Sequence, residues 1–321
     1  MSIKILKPGI CSTIQDLGRT GYRFMGIGPG GVMDFFAATT GNYLAGNDEH
    51  QPVIEMHFPA ATICFTTPAL ICITGANFDA HINEVPVEMY QPVFVEKNAV
   101  LSFKKNISGA RVYLSVHKGM EAEKWLGSYS THLKIMAGGY SGRLLQKDDI
   151  IITNAASHDL NRKKIQISPA VLETVYNSHS AVRIIAAPQC YLLNIQSKEN
   201  ILQAAFTISN QSDRMGYRLT GHQCYLQNPL ELISSPVTFG TVQLLPDGQL
   251  IILMADHQTT GGYPNIATII VADLPRLAQL PVNSPLHFHL VSLQHAEEML
   301  LSTHQLLAEI KTGCQNFYAK H

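Results

Sequence analysis

Between Val53 and Val116 short apolar runs recur roughly every ten residues, and that spacing leaves few folds open. The runs are Val53 to Phe58, Ala61 to Phe65, Ala69 to Ile73, His81 to Asn83, Val93 to Val95, Val100 to Phe103 and Arg111 to Val116. Each is too short for a stable helix, and Pro, Gly, Asn or Asp residues separate them. Such a series predicts an antiparallel barrel or sandwich. Strands and helices do not alternate along it, which excludes a doubly wound parallel sheet.

The second half repeats the habit. Val182 to Ala187, Phe206 to Ser209, Tyr217 to Leu219, Ile266 to Val271 and Leu286 to Val291 read as strands, and Pro246-Asp247-Gly248 reads as a hairpin turn. Few helices are expected. Asp34 is positioned to cap one over Phe35 to Ala45, stopped by Gly46. Short ones are expected over Glu121 to Leu126 and from a Ser197 cap to Ala205. A C-terminal amphipathic helix is expected from Leu293 to about Lys311, with Ala296, Met299, Leu300, Leu307 and Ile310 as its stripe and Gly313 as its stop. A length of 321 residues exceeds one ordinary core, so two β-barrel-like domains are predicted, 1–165 and 166–321, joined by the polar stretch from Asn154 to Ser180.

Only 15% of residues are charged, against roughly 25% in a typical soluble domain. Part of the surface is therefore expected to be covered by another chain. The net charge is −1 and no dense Lys/Arg run occurs, so a nucleic-acid partner is not expected. The six cysteines are scattered, with no Cys-x-x-Cys pair; free thiols in a cytoplasmic protein fit best. Met1 to Pro8 lacks the apolar core of a signal peptide, and no run approaches the roughly 18 apolar residues of a membrane span.

The candidate chemistry lies in polar clusters beside predicted strands. The apolar run Leu250 to Ala255 stops in seven polar or glycine residues, Asp256 to Gly262. This reads either as a solvated loop or as a site wall with a base, Asp256 or His257, and hydrogen-bonding Gln258, Thr259, Thr260 and Tyr263. Ser212 to Arg218 supplies Asp213 and two guanidinium forks, Arg214 and Arg218. In an extended segment both forks face one side and suit a carboxylate or phosphate; the other reading is an Asp213–Arg pair that pins a turn. Gly127 to Thr131 offers the hydroxyls of Ser128 and Ser130, and Gln15 to Arg19 offers Gln15, Asp16 and Arg19. No metal constellation is expected: His287 and His289 have no third ligand at a defined spacing. No Walker loop or nucleophile elbow is present.

These residues also carry a resemblance. Ser212-Asp-Arg-Met-Gly-Tyr-Arg-Leu-Thr-Gly221, Gly240-Thr-Val-Gln243 and Met254-Ala-Asp-His-Gln-Thr-Thr-Gly-Gly-Tyr-Pro264 resemble the family of 5-oxoprolinase C subunits, also called allophanate hydrolase subunit 2-like, Kip-antagonist-like or biotin-dependent carboxyltransferase-like. Thr13 to Tyr22, Gly30-Gly-Val-Met-Asp34, Leu126 to Thr131 and Gly142-Arg143-Leu144 extend the resemblance through the first half. It implies two cyclophilin-like barrels and a β-rich B component as partner, with an A component as the third part of the complex. It implies ATP-dependent opening of the 5-oxoproline lactam to glutamate; residue type and clustering then assign Asp256, His257 and Arg214 to catalysis. Asp213, Tyr217, Arg218, Gln258, Thr259, Thr260, Tyr263, Gln15, Arg19, Asp34, Ser128, Ser130 and Arg143 would bind substrate or nucleotide. The alternatives it implies are a biotin-dependent carboxyltransferase or allophanate hydrolase-type component, with biotin carried on another chain, and a non-catalytic regulatory binder. The chain departs from the family's usual Arg at Tyr129 and His257, Lys at Asn265, and Gly at Lys118 and Asp148.

Overall fold

The structure, a computed structural model, describes residues 2–154, 165–176, 181–228, 230 and 232–319. The run Asn161 to Lys164 in the expected crossing lies outside the described residues. Two compact units are present. One comprises Met1–Arg19, Asp34–Thr174 and Gln305–His321; the other comprises Thr20–Met33 and Val175–His304. The chain thus lends a glycine-rich segment from its first part to the second unit and returns its last helix turns to the first.

The first unit is two antiparallel sheets. One runs in the order Ile150–Ile152, Ser2–Lys7, Thr62–Phe65, Val100–Phe103, Ala80–Ile82, Val85–Pro86. The other runs Ser12–Gln15, Val53–His57, Ser108–Val116, Ala69–Asn77, Pro92–Val95. Alternate residues of each strand enter one core: Ile3, Ile5, Ile63, Phe65 and Leu101 from the first, and Ile14, Ile54, Met56, Ile71, Ile73, Val112 and Leu114 from the second. The outer face of the second sheet is covered by the helix Phe35–Leu44. Asp34 caps it as expected, its carboxylate accepting from the Ala37 N–H at 2.9 Å. Nine of its ten residues are buried, and several polar groups at its contact with the sheet are paired within the fold, although the Thr40 and Ser115 hydroxyls have no partner among the described residues. Thr74 donates to the Ala37 carbonyl at 2.7 Å, and Tyr113 donates to Glu55 at 2.8 Å.

The second unit is an eight-stranded sheet ordered Pro285–Leu286, Phe206–Ile208, Gly216–Gly221, Leu250–Leu253, Thr241–Leu244, Asn265–Ile269, Val182–Ala186, Phe288–Leu290. Its two outermost strands are consecutive pieces of one run, interrupted only at His287, so the sheet curls into a barrel that hides its own edges. Val182, Ile184, Phe206, Leu219, Leu250, Ile252, Ile266 and Phe288 are buried in it. The turn at Pro246 to Gly248 joins paired strands, with Leu244 opposite Leu250.

Three local expectations are corrected. Glu121 to Leu126 is not helical: Leu126 (φ 50°) and Gly127 (φ 82°) turn the chain back, and Glu123 and Trp125 form isolated bridges to Gly139 and Ser128. Asn194, not Ser197, caps the helix Ile195–Gln203; Ser197 lies within it and accepts from the Tyr225 N–H at 2.7 Å. The last helix does not stop at Gly313 but runs Leu293–Ala319. A mid-helix glycine costs about 1 kcal/mol, and anchors beyond and before it offset that. Tyr318 donates to the Leu44 carbonyl at 2.7 Å and stacks on His117, while Lys311 pairs with Glu49 at 2.7 Å.

Lys118 (φ 61°) and Asp148 (φ 70°) both sit in the left-handed region, where a side chain is strained. These are the two positions where the resemblance leads one to expect glycine.

Candidate functional site

In the second unit the site begins with a turn. Asp213 accepts from the Met215 and Gly216 N–H groups at 2.7 and 3.2 Å, and its own N–H donates to the Gly216 carbonyl. The segment is therefore not extended between Arg214 and Arg218, and the two guanidinium groups do not form a same-side pair along one strand. Arg214 is buried in the turn; Arg218 is half-buried on the strand Gly216–Gly221. Tyr217 between them is core, opposite Ile252.

Arg214 meets the loop that follows Leu250–Leu253. Backbone pairing from Met254 to Met215 and from Asp256 to Arg214 brings the two chains side by side. The Arg214 fork then grips Asp256, Nε to Oδ2 at 2.8 Å and Nη2 to Oδ1 at 3.0 Å. Nη2 also donates to the Gly31 carbonyl at 2.6 Å. This second reading of the segment, an arginine that pins structure, is the one the geometry adopts, with Asp256 rather than Asp213 as its carboxylate. A bidentate, charge-assisted contact at a buried position is strong and directional.

His257 follows, 2% exposed. Its Nδ1 lies 2.7 Å from the Met254 carbonyl, which can only accept, so Nδ1 carries the proton and Nε2 a lone pair. Nε2 is buried with no hydrogen-bond partner among the described residues. Burial, helped by the Arg23 charge, pushes the imidazole pKa below its ordinary value, against the opposing pull of the Met254 carbonyl, of Asp256 and of the nearby Val237 carbonyl, which lies outside hydrogen-bonding geometry with Nε2. His257 is thus a neutral acceptor near pH 7, not a cation. The segment Thr20–Met33 lies against it. A Cβ at Gly28 would meet the His257 carbonyl oxygen at 2.7 Å, so this position admits only glycine. Arg23 donates to the Val237 carbonyl, and the Val237 N–H donates to the Thr259 carbonyl at 3.1 Å.

Beyond His257 the groups open outward. Gln258 and Thr260 are exposed and Thr259 is buried. Thr260–Gly261 pairs with Ser235–Pro236. Gln243 holds the far end, donating to Asn265 Oδ1 at 2.9 Å and to the Tyr263 carbonyl at 3.3 Å. Tyr263 is 42% exposed and lines an apolar cavity of about 610 Å³ with Tyr225, Leu226, Leu244, Leu245 and Pro246.

Gln15, Arg19, Asp34, Ser128, Ser130 and Arg143 belong to the first unit, where each is bonded to groups of that same unit. Asp16 is the hub. Its carboxylate accepts from the Ser128 and Ser130 hydroxyls at 2.6 Å each, the Tyr129 N–H at 2.7 Å and the Gly18 N–H at 2.8 Å. Arg19 donates to the Ser130 carbonyl at 2.6 Å and lies 4.9 Å over the Trp125 ring. Gln15 donates to Thr13 at 3.0 Å, with its Oε1 buried and unpartnered among the described residues. Arg143 forms a fork with Asp149 at 2.7 and 2.8 Å, a bond that raises its pKa. Tyr129, which stands at a family arginine position, lies beneath Lys124, 5.1 Å from its ring centre. No group of three or more metal-ligating side chains occurs among the described residues. Sequence reasoning missed Arg23, Gly28 and Gly31 as partners of the second-unit loops. Only the density of glycines from Gly26 to Gly31 signals them.

Residues 25–290 match the family described as the carboxyltransferase domain, subdomain A and B. The chain belongs to this family. Within it, the chain is 38% identical to the 5-oxoprolinase C subunit of Haemophilus influenzae over 309 residues, covering 96% of this chain and 97% of that one. It is 34% identical to the 5-oxoprolinase C subunit of Escherichia coli, covering 92% and 93%. Saccharomyces cerevisiae urea amidolyase is 25% identical over 93% of this chain but only 17% of its own length. The fold is also that of a solved K. lactis urea amidolyase, with a TM-score of 0.87 at 24% identity, covering 96% of this chain and 20% of that one. Among the described residues no helix is long and apolar enough to cross a membrane.

Proposed function

We propose that the chain is the C component of an ATP-dependent 5-oxoprolinase, opening the 5-oxoproline lactam to glutamate together with a β-rich B-like component and an A-like component. The observation that carries this reading is end-to-end similarity to two 5-oxoprolinase C subunits, each covered over more than nine-tenths of its length. A lactam carbonyl is a poor electrophile; ATP supplies a phosphoryl group that makes its oxygen a leaving group. The residues present fit anionic oxygens. Arg218 has no side-chain hydrogen bond or ion pair among the described residues, and Gln258 and Thr260 are exposed polar groups of the same unit. These would hold the carboxylate or phosphate.

Asp256 is the proposed base for water. Each of its oxygens keeps a lone pair beyond the one that Arg214 uses. His257, neutral near pH 7 and buried, holds the loop beside it through its Nδ1 bond to the Met254 carbonyl. Arg214 acts by fixing Asp256. Reconstitution with the B-like and A-like components tests the reading. ATP-dependent glutamate release from 5-oxoproline is expected, with at least a hundredfold loss in Asp256→Asn. No release, or full release by Asp256→Asn, overturns the reading or this role respectively.

A second reading, carboxyl transfer from biotin carried on another chain, draws support from the family's description as a carboxyltransferase domain. Carboxylation of urea by the reconstituted complex, without glutamate release, would select it.

A further inference from the structure

We propose that the peptide groups of Gly30, Gly31 and Val32 form a binding site for an anionic oxygen, carboxylate or phosphate, and that Arg214 is the positioning residue that presents it. The first observation is a run of unused donors. Among the described residues no acceptor is in hydrogen-bonding geometry with the N–H of Gly30, Gly31 or Val32. Gly31 and Val32 are buried, and buried backbone N–H groups in folded proteins are nearly always paired. Two consecutive buried exceptions, preceded by the half-buried Gly30, mark a place where an acceptor belongs. Gly30 (φ 62°) and Gly31 (φ 96°) adopt backbone that other residues reach only with strain, and leave no side chain over the donors.

The second observation is how the loop is held. Arg214 Nη2 takes the Gly31 carbonyl at 2.6 Å while its Nε and Nη2 hold Asp256. In a trans peptide the C=O and the following N–H point in opposite directions. Fixing the Gly31 carbonyl therefore fixes the Val32 N–H, aimed away from Arg214. Arg214 is thereby spent on orientation and is not itself an anion clamp. The loop lies against His257 through Gly28, and there the N–H of Thr259, also buried, has no acceptor among the described residues either.

The third observation is charge. Asp256 neutralises Arg214, but Arg23 donates to the neutral Val237 carbonyl, whose own N–H is bonded to the Thr259 carbonyl. Arg23 and Arg218 have no carboxylate partner among the described residues, and against them stands one carboxylate without a cation, Asp213; the surplus of positive charge favours an anionic over a neutral oxygen. Preorganised backbone donors of this kind stabilise negative oxygen without having to reorganise. The proposal deepens the function proposed above and rests on it only for the choice of carboxylate.

Amide NMR on the full chain tests it. Selective ¹⁵N-glycine and ¹⁵N-valine labelling resolves the three amides while inorganic phosphate, and separately 5-oxoproline, is titrated. A saturable downfield movement at Gly30, Gly31 and Val32 is expected with at least one titrant, and the one that saturates first identifies phosphate or carboxylate. Gly240 and Gly248, whose N–H groups already donate to Leu253 and Leu245, should stay still. Arg214→Lys keeps the charge but loses the fork, and should weaken the binding about tenfold. No saturable movement with either titrant overturns the site; unchanged affinity in Arg214→Lys overturns its positioning role. Binding here without turnover by the complex would sink the proposed function and leave the site. Turnover without binding would do the reverse.

Discussion

Gly127 to Thr131 in the first unit and Asp256 to Tyr263 in the other unit are hard to tell apart by composition. Both are short, glycine-bearing and rich in hydroxyls, and both lie beside a carboxylate and an arginine. Their structures differ in one respect. In the first-unit loop the donors close on Asp16: Ser128, Tyr129 and Ser130 all reach it, and Arg19 is taken up by the Ser130 carbonyl and Trp125. In the other loop Arg214 and Asp256 close on each other, and Gln258, Thr260 and Arg218 are left outside that pairing. A polar cluster that satisfies itself is a staple; one that leaves donors over can meet a ligand. The two loops therefore make opposite demands on stability and activity.

The largest stability effect is expected at the staple. Asp16→Ala strands two hydroxyls and two N–H groups beside a buried position, and should lose about 3–5 kcal/mol in urea unfolding. A loss below about 1 kcal/mol would show that the cluster does not hold the unit together. Arg214→Ala comes next. It leaves Asp256 and the Gly31 carbonyl without their partner and should cost about 2–4 kcal/mol, along with turnover of the complex. Arg218→Ala should behave in the opposite way: stability within about 0.5 kcal/mol of the parent, with a rise in KM for the anionic substrate of about tenfold or more. Equal damage to stability would place Arg218 with the staples.

Smaller still is a pH effect. Burial depresses the pKa of His257 and of His117, so the unfolded chain takes up protons at higher pH than the folded one. Their contribution is fully present above about pH 6.5. It is lost as pH falls toward each folded pKa, with a slope of at most about 1.4 kcal/mol per pH unit for each histidine. His257→Asn should flatten this acid limb of a stability–pH curve; an unchanged limb would mean that His257 is protonated in the fold. The smallest change is Lys118→Gly, which relieves the left-handed backbone and should gain about 0.5–1 kcal/mol in the same unfolding assay.

Much of the fold is legible in the sequence because short-period patterns are local. Val100 to Phe103 and Leu250 to Leu253 are strands because alternate apolar residues must enter a core, and Asp34 caps its helix because its carboxylate needs only the N–H three residues on. The misreadings share a cause. In an isolated helix Gly313 would be a stop and Ser197 a cap, whereas here the docking of Tyr318 and Lys311 and the Tyr225 N–H decide them.

The site divides in the same way. Sequence alone named Asp256, His257, Arg214 and Arg218 by residue type and clustering, and the resemblance it carried placed the chain in its family. It also set how many hydroxyls, carboxylates and guanidinium groups each loop holds. Pairing is another matter. Whether Arg214 faces a ligand or Asp256, whether His257 is a cation or a buried neutral acceptor, and whether Ser128 and Ser130 face outward or close on Asp16 depend on which segments the tertiary structure sets side by side. Hydrogen bonds act over about 3 Å and care nothing for separation along the chain. Arg214 meets Gly31 across 183 positions, and no pattern within either segment could announce it.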